Sequence, residues 1–364
     1  MPGKLQRART FRAPGRVNLI GEHTDYNGGY VLPVAIDRYT WVTAAPGRDA
    51  VVRAWSENLV RGVVVDKDTT RRGDWGDYLR GVVALLREGG RAQRGAELLV
   101  RSELPLGGGL SSSAALEVVC AYALLKLNGE SLRPLELAQL CRRAEQEWAG
   151  MGCGIMDQYC VTHARTGTAL LLDCRSLESQ AIPLLSEGVE IVVANTMVRR
   201  ELATSAYNDR RRECEEAARL LGVSSLRDAD PKSVTGLPEP LRSRARHVVE
   251  ENARVLAFAQ ALSKGDWAAV GGLMAASHES LKTLYQVSCD ELDFLVDTGR
   301  QLGSLGSRMT GAGFGGCTLH FVPTAGAASF LSELAARYQK RFNVEPHIFV
   351  CRPAGAVEEM RPDT

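Results

Sequence analysis

The sequence lacks the residue patterns of several common protein classes. Its nine cysteines are odd in number and include no CxxC pair, and its six histidines include no HExxH or other metal-ligand spacing. These absences argue against a disulfide framework and against a zinc site. The 44 basic and 43 acidic residues nearly balance, so no excess of charge indicates nucleic acid or a membrane surface as partner. A small molecule is the partner class that this composition favours.

Long apolar runs and repeats are also missing. No uncharged apolar run approaches the roughly 20 residues of a membrane span, and no internal repeat or low-complexity segment occurs. The basic amino-terminal segment is not followed by the apolar core of a secretion signal. The 364 residues, 45% of them apolar, suffice for two domains with buried cores. We therefore expect a soluble, cytoplasmic, two-domain protein.

The most informative stretch is residues 104–117, LPLGGGLSSSAALE. Glycines without a Cβ let the backbone approach an anion closely, and serines at a helix start add hydroxyl groups beside unpaired N–H groups. No lysine follows the glycines, so the stretch is not a Walker A loop. Two interpretations stay open, a phosphate-binding loop before the helix predicted at 114–127, or a tight turn with serine caps.

A second polar stretch lies in the β-rich region predicted for residues 10–66. Residues 22–27, EHTDYN, precede two glycines and stand between apolar segments. A run of this kind is either a solvated turn or a loop that binds a polar ligand. Carboxylates, an imidazole and an amide together supply the donors and acceptors that the hydroxyl groups of a sugar require.

Three single residues allow both a structural and a functional interpretation. Trp75 precedes a helix predicted at 75–88, where an aromatic side chain more often packs in the core than against a nucleotide. Glu145 stands near the end of a helix predicted at 134–148, where the helix dipole disfavours a carboxylate unless Mg²⁺ is near; an ordinary surface glutamate is the simpler interpretation. Asp157, in the first turn of a short helix, either complements the dipole or faces a reacting hydroxyl group.

The second half of the chain has a different organisation. The composition turns polar at residues 186–188, and a strand begins at Val189. Helix-rich sequence, a third glycine cluster at 308–317, a strand, a helix and a final strand follow, which indicates an α+β unit with an antiparallel sheet. We predict two domains, residues 1–187 and residues 188–364.

Three separated stretches resemble one family. GRVNLIGEHTDYNGGYVLP resembles the galactokinase signature, LPLGGGLSSSAALE the ATP-binding motif of the GHMP small-molecule kinases, and RMTGAGFGGC the third motif of that superfamily. CGIMDQ, YNDRRRECEEA, ARHVVEEN and VSCDELD match between and around them, so the resemblance covers nearly the whole chain. It implies an α+β fold with an amino-terminal domain like domain 2 of ribosomal protein S5, a carboxyl-terminal ferredoxin-like domain, and an active site in the cleft between them.

The resemblance also implies roles for individual residues. Asp157 is similar to the catalytic aspartate and Arg16 to its partner, while Ser113 and Glu145 are similar to the Mg²⁺ ligands. Trp75 stands where the family contacts adenine, which reverses the interpretation as core. The residues implied to hold galactose are Glu22, His23, Asp25, Gly154 and Tyr207. Those implied to bind the ATP phosphates are Gly107, Gly108, Gly109, Leu110, Ser111, Ser112 and Ser113.

The implied activity is MgATP-dependent phosphorylation of the C1 hydroxyl of α-D-galactose, the first committed step of galactose catabolism (the Leloir pathway), by a monomer. An N-acetylgalactosamine kinase and a catalytically weak galactose and ATP sensor stay open as alternatives. The run 24–27 resembles the galactokinase form, and the intact run 111–114 favours an active kinase. Two residues depart from the family pattern: Ala312 replaces a frequent glycine, and Asp290 replaces a frequent proline at a helix start.

Overall fold

The chain folds into three β-sheets surrounded by helices. The computed structural model describes residues 8–105, 107–184, 188–198 and 203–361. The strands in these ranges are β1 Arg9–Asn18, β2 Tyr30–Val31, β3 Pro33–Pro46, β4 Val52–Ser56, β5 Arg61–Val65, β6 Ala96–Ser102, β7 Thr168–Asp173, β8 Ser179–Pro183, β9 Val189–Asn195, β10 Gly306–Thr310, β11 Cys317–Pro323, β12 His347–Cys351 and β13 Glu358–Met360. The helices are α1 Gly76–Glu88, α2 Ser112–Leu127, α3 Pro134–Ala144, α4 Met156–His163, α5 Ala203–Leu221, α6 Pro231–Val234, α7 Leu241–Lys264, α8 Trp267–Ser280, α9 Asp290–Gln301 and α10 Ala327–Phe342.

The amino-terminal half is built on a six-stranded sheet with α2 against it. The strand order is β13-β1-β3-β6-β4-β5, and every pair is antiparallel except β4 with β6. Helix α2 is apolar on nearly all sides, a pattern typical of a helix buried within a core. It packs on β1 and β3 and also contacts α1, α3 and α4. The position of α2, and with it the position of its amino terminus, is therefore fixed by the sheet and by the other helices.

The carboxyl-terminal half contains an antiparallel four-stranded sheet of order β10-β11-β9-β12. Successive residues of β9 face opposite sides, as the pleat requires. Val192 and Ala194 pack with the apolar side chains of α9 and α10, whereas Ile191 and Val193 join the large core that is shared with the amino-terminal half. The predicted α+β class is confirmed, because this half of the chain consists of an antiparallel sheet and of helices that pack on it.

Several predicted elements differ from the observed ones at their ends. The helix predicted at 134–148 is an α-helix only to Ala144, and a π-helical turn, Glu145–Ala149, continues it. Strand β13, near the carboxyl terminus, pairs with β1 of the first sheet. The predicted domain boundary at 187/188 and the first seven residues of the chain lie outside the described residues. In the described ranges, no helix has the length and apolar character to cross a bilayer.

Candidate functional site

An aspartate, an arginine and a serine from three elements meet at the centre of a cleft. Arg16, on β1, binds both carboxylate oxygens of Asp157 with its Nε and Nη2 atoms, each at 2.7 Å. The Ser111 hydroxyl donates to Asp157 Oδ2 at 2.5 Å, and Arg16 Nη1 donates to the Gly109 carbonyl at 2.6 Å. Arg16 is buried, whereas the side chain of Asp157 is 26% exposed toward the cleft. The carboxylate is thus fixed in orientation but open to a ligand.

The glycine-rich loop leads into the amino terminus of α2. Gly107 and Gly109 have φ values of +70° and +73°, which glycine adopts at low cost. Ser111 has φ +58°, a left-handed conformation that is uncommon for a residue with a Cβ. Its hydroxyl bonds to Asp157 and does not cap α2, so the first-turn N–H groups of α2 remain available to an anion.

Most of the loop residues predicted to bind phosphate line the cleft, but two do not. Gly107, Gly109 and the three serines face it. The side chain of Leu110 is buried in the large core, and Gly108 lies on the other side of the loop, close to Asn195. These two residues therefore shape the loop from behind, through packing and through the absence of a Cβ.

A second glycine loop, residues 311–316, closes on the first. A Cβ on Gly311 would lie 2.8 Å from the carbonyl oxygen of Gly109, and a Cβ on Gly316 would lie 3.1 Å from that of Gly108. The two backbones therefore touch where only glycine fits. Ala312 is not among the residues with positive φ, so the methyl group that departs from the family pattern causes no backbone strain there.

Trp75 lies beside a separate small cavity next to the glycine loop. The cavity has a volume of about 170 Å³ and is lined mainly by apolar surface, with Trp75, Tyr78 and Leu116 on its walls and Ser112 and Ser113 at its floor. Trp75 also packs against the large core. Both interpretations of this residue are therefore compatible with its position, since one part of the ring is covered and another part faces the cavity.

Glu22, His23 and Asp25, three residues of the polar run that was predicted to bind a sugar, line the central cleft, which has a volume of about 280 Å³. Asp25 faces Gly154, where any Cβ would collide with the Asp25 carboxylate. Tyr207, from α5, closes the wall, and its ring centroid lies 5.5 Å from that of His23. The amino-terminal loop, the turn before α4 and the first helix after β9 therefore converge on one space.

Burial and a neighbouring charge both disfavour ionisation of Asp25. The pKa of Asp25 rises from its ordinary value of 3.8 to about 6, first because the carboxyl group is buried and second because Asp157 is negatively charged. A ligand that donates hydrogen bonds to Asp25 would relieve this cost. This side of the cleft therefore favours a ligand that donates hydrogen bonds.

Glu22 and His23 line the cleft but already have partners within the protein. Glu22 forms an ion pair with the buried Arg308, and its Oε1 accepts a hydrogen bond from the Gly311 N–H at 3.1 Å. His23 Nε2 lies 3.1 Å from the Ala312 carbonyl oxygen. Because a carbonyl group only accepts, Nε2 carries the proton.

The tautomer of His23 fixes a chain of hydrogen bonds. Its Nδ1 then accepts from the Tyr26 hydroxyl at 2.8 Å, and Tyr26 accepts from the Tyr285 hydroxyl at 2.8 Å. Burial, aided by the charge of His247, lowers the pKa of His23 to about 3, so the ring is neutral at pH 7. Both ring nitrogens are occupied, and a ligand would meet the carbon edge of the ring.

Ser113 and Glu145 lie together at the start of α2. Glu145 is buried and accepts hydrogen bonds from the Ser113 hydroxyl and from the amide of Gln158. Burial raises the pKa of Glu145, and these hydrogen bonds oppose the rise. The interpretation as a surface glutamate is therefore wrong. The described residues contain no group of three or more His, Cys, Asp and Glu side chains that could hold a metal ion, so a cation here would need oxygen atoms from a ligand as well.

Two residues next to the site were not identified from the sequence. Arg308 is fully buried and joins Glu22 to Glu251 and to the Leu19 carbonyl. Gln158 is fully buried next to Asp157 in sequence and binds two carboxylates. A charged residue within an apolar strand, and an amide beside a candidate catalytic aspartate, were the available signals, but neither shows which partner is bound.

Family models match three parts of the chain. The galactose-binding signature of galactokinases matches residues 3–46, the amino-terminal domain of GHMP kinases matches residues 77–165, and their carboxyl-terminal domain matches residues 258–340. The first of these ranges contains the polar run, and the second contains the glycine-rich loop and Asp157. The family models therefore cover most of the residues that meet in the cleft.

Relatives of similar length match nearly the whole chain. The galactokinase of Roseiflexus sp. is 48% identical over 95% of this chain and 91% of its own length. That of Thermococcus kodakarensis is 43% identical over 95% and 98%. The structure of Lactococcus lactis galactokinase complexed with galactose superimposes with a TM-score of 0.94, 34% identity and coverage of 98% and 96%. A mevalonate kinase with 21% identity and a TM-score of 0.70, over 94% and 98%, shares the fold.

Proposed function

The chain belongs to the galactokinases, a family of the GHMP kinases, and from this premise we propose that its cleft transfers the γ-phosphoryl group of ATP to the C1 hydroxyl of α-D-galactose. The observation that carries the proposal is the Asp157, Arg16 and Ser111 group, which lies between the glycine loop and the polar run. The comparisons give no support to an N-acetylgalactosamine kinase or to a sensor without useful catalysis.

In the proposed reaction Asp157 receives the hydrogen bond of the sugar hydroxyl that attacks phosphorus. Arg16 and Ser111 hold the carboxylate still, so the attacking oxygen is oriented before the reaction begins. Phosphoryl transfer passes through a loose transition state in which the acceptor proton can leave late. Asp157 therefore acts by orienting the hydroxyl group at least as much as by removing its proton.

ATP would bind across the glycine loop and the small cavity. Gly107, Gly109 and the first-turn N–H groups of α2 offer donors and a positive helix end to the phosphates. The adenine would enter the cavity beside Trp75 and Tyr78, whose rings supply apolar contact.

Mg²⁺ fits the chemistry of Ser113 and Glu145. A hydroxyl group and a buried carboxylate lie in contact at the helix start, beside the loop that would hold phosphates. Mg²⁺ is usually bound through one or two protein oxygens together with substrate phosphates and water. When bound, it would supply positive charge to neutralise the β- and γ-phosphates.

Galactose would lie against Asp25, Gly154 and Tyr207, with Glu22 and His23 behind them. Asp25 is our candidate for the carboxylate that selects the sugar, because a site built to bind a given hydroxyl group leaves its own polar atoms unpaired when that hydroxyl is missing. His23 would contact the ring through carbon atoms, and Glu22 would share an oxygen that already accepts from Gly311. An Asp25→Ala variant that kept the preference for galactose over glucose would contradict this assignment.

The test is ADP release from MgATP with galactose, N-acetylgalactosamine, glucose and mevalonate offered in parallel. We expect release with galactose, and NMR should show the phosphate on C1. Release with N-acetylgalactosamine instead would replace the proposed substrate. Galactose binding without any ADP release would support the sensor and overturn the proposal.

Substitution of Asp157→Asn tests the catalytic assignment. We expect kcat to fall by about 10²- to 10⁴-fold, since an amide cannot take up the acceptor proton, while calorimetry shows ATP binding close to that of the wild type. The matched control is Asp173→Asn. Both carboxylate oxygens of Asp173 also accept hydrogen bonds from one guanidinium group, that of Arg227, but Asp173 lies outside the cleft. Equal losses of kcat in the two variants would mean that Asp157 has only a structural role.

A further inference from the structure

A buried amide connects two buried carboxylates behind the cleft. Gln158 Nε2 donates to Glu145 Oε2 at 2.5 Å and to Glu117 Oε2 at 3.2 Å. Gln158 and Glu117 are fully buried, and Glu145 is 5% exposed. The three side chains come from α4, α2 and the π-helical turn after α3. A polar cluster of this kind is expensive to bury, so the fold keeps it at some cost in stability.

The orientation of the Gln158 amide follows from its neighbours. Its nearer partner is an oxygen of the Glu145 carboxylate, which accepts and which also accepts from the Ser113 hydroxyl, so the NH₂ group and not the carbonyl faces it. Each of its two N–H bonds then has one carboxylate partner. The oxygen of the Gln158 amide, Oε1, and the Oε1 atom of Glu117 are buried without a hydrogen-bond partner in the described part of the chain. The arrangement therefore fixes the Glu145 carboxylate by a hydrogen bond, whereas one oxygen of Gln158 and one of Glu117 have no donor.

We propose that Gln158, held in place by Glu117, is a positioning residue that fixes the Glu145 carboxylate for the cation of the cation–ATP complex. This inference rests on the proposed function, because it assumes that Glu145 and Ser113 bind Mg²⁺ with ATP. Gln158 lines neither the cleft nor the cavity beside Trp75, so it would act only through Glu145. Residues that orient a metal ligand typically change metal affinity or activity by 10- to 100-fold when they are replaced.

The alternative is that Gln158 only helps α4 to pack. The two roles differ in what they predict. A packing defect would weaken galactose binding and cation binding together, since α4 also carries Asp157 and lies beside the sugar site. A positioning defect would weaken the cation and leave galactose binding in the absence of nucleotide unchanged.

The experiment measures Mn²⁺ binding to the enzyme–ATP-analogue complex by electron paramagnetic resonance, using a non-hydrolysable analogue. Gln158→Met keeps the length of the side chain but removes both donors. We expect the Mn²⁺ dissociation constant to rise by about 10- to 100-fold, with galactose affinity by calorimetry within about twofold of the wild type. Excess Mg²⁺ should restore most of the turnover.

Thr162→Val is the matched control, because Thr162 is buried one turn further along α4 and its hydroxyl bonds to two carbonyl groups of its own helix and to the His163 ring, and to neither glutamate of the cluster. Its cation affinity should match the wild type. If Gln158→Met does not fold, Gln158→Asn carries the same test, since it keeps the amide but withdraws it from Glu145. Unchanged Mn²⁺ affinity in the Gln158 variants, or equal loss in Thr162→Val, would overturn the proposal.

The result can be separated from a failure of the proposed function. If the wild type binds Mn²⁺ with the ATP analogue but makes no galactose 1-phosphate, the proposed reaction is wrong, and the Gln158 variants still decide the positioning role. If the wild-type complex binds no Mn²⁺ at all, the inference about Gln158 is overturned whatever the sugar product.

Discussion

Asp25 illustrates how a carboxyl group that could bind a ligand can also lower the stability of the folded protein. Its folded pKa of about 6 lies above the ordinary value of 3.8, chiefly through burial and then through the charge of Asp157. In the unfolded chain Asp25 ionises from about pH 4 upward, whereas in the folded protein it stays protonated until about pH 6. The folded state therefore binds more protons in this interval, and the contribution of Asp25 to stability falls as pH rises through it.

Asp25→Asn should remove this penalty. We expect the variant to be more stable than the wild type by up to about 3 kcal/mol at pH 8, with the gain shrinking toward zero near pH 4. The measurement is the free energy of unfolding in urea at several pH values. Asp68→Asn, at an exposed position, is the control for the loss of one negative charge. A gain that grew toward low pH would contradict the predicted sign.

At the level of elements, the two glycine loops form one structure. Gly311 has φ +88° and faces the Gly109 carbonyl, whereas Gly303 has φ +87° and open space where a Cβ would lie, with no atom within 4 Å. The two glycines thus share a backbone conformation and differ in their surroundings. This pair separates the cost of a left-handed backbone from the cost of crowding the glycine loop of residues 107–109.

Gly311→Ala should destabilise the protein by about 2–4 kcal/mol, the sum of backbone strain and overpacking, whereas Gly303→Ala should cost about 1 kcal/mol from strain alone. Gly311→Ala should also raise the KM for ATP several-fold, since the methyl group displaces the loop beneath the phosphates. Urea denaturation and steady-state kinetics measure the two effects. A Gly303→Ala variant with the same rise in KM would mean that the loops do not act as one structure.

Across the whole molecule, Arg308 joins the two halves of the chain. From β10 it reaches the Leu19 carbonyl and Glu22 in the amino-terminal half, and Ser277 and Glu251 in the carboxyl-terminal half. The arginine is fully buried, and both glutamates are almost fully buried. Together with the Glu22–Gly311 and His23–Ala312 hydrogen bonds, Arg308 therefore holds the polar run 22–27 in position next to the glycine loop of residues 311–316.

Arg308→Met should cost about 3–5 kcal/mol, because it leaves the buried carboxylate of Glu22 without its cation, whereas Glu251 keeps its ion pair with Arg254. The free energy of unfolding in urea is the measurement. Arg212→Ala is the control, since Arg212 pairs with Asp209 on the exposed surface, where an ion pair contributes about 0–1 kcal/mol. A loss below about 1 kcal/mol in Arg308→Met would mean that Glu22 and Glu251 relax to other partners.

The monomeric state and cytoplasmic location stay predictions from the sequence.

The amino-acid sequence by itself determined the local features of this protein and its family. The three glycines and three serines predicted a loop that leads into the helix α2, and apolar periodicity predicted α1, because these features depend on neighbours in the chain. The polar run 22–27 was recognised from composition and from its resemblance to the galactokinase signature. Helix ends were less exact, as with the π-helical turn at Glu145, since packing decides where a helix stops.

Only the tertiary structure decided which of these residues meet, and which of their atoms are free. The sequence does not show that both nitrogens of His23 are bound within the protein, or that Gln158 connects Glu145 to Glu117. Nor does it show β13, at the far end of the chain, joining β1 in the first sheet. Such contacts depend on how distant segments pack. Differences of a few tenths of an ångström in the distance between two atoms decide which groups form a hydrogen bond, and the order of residues does not encode them.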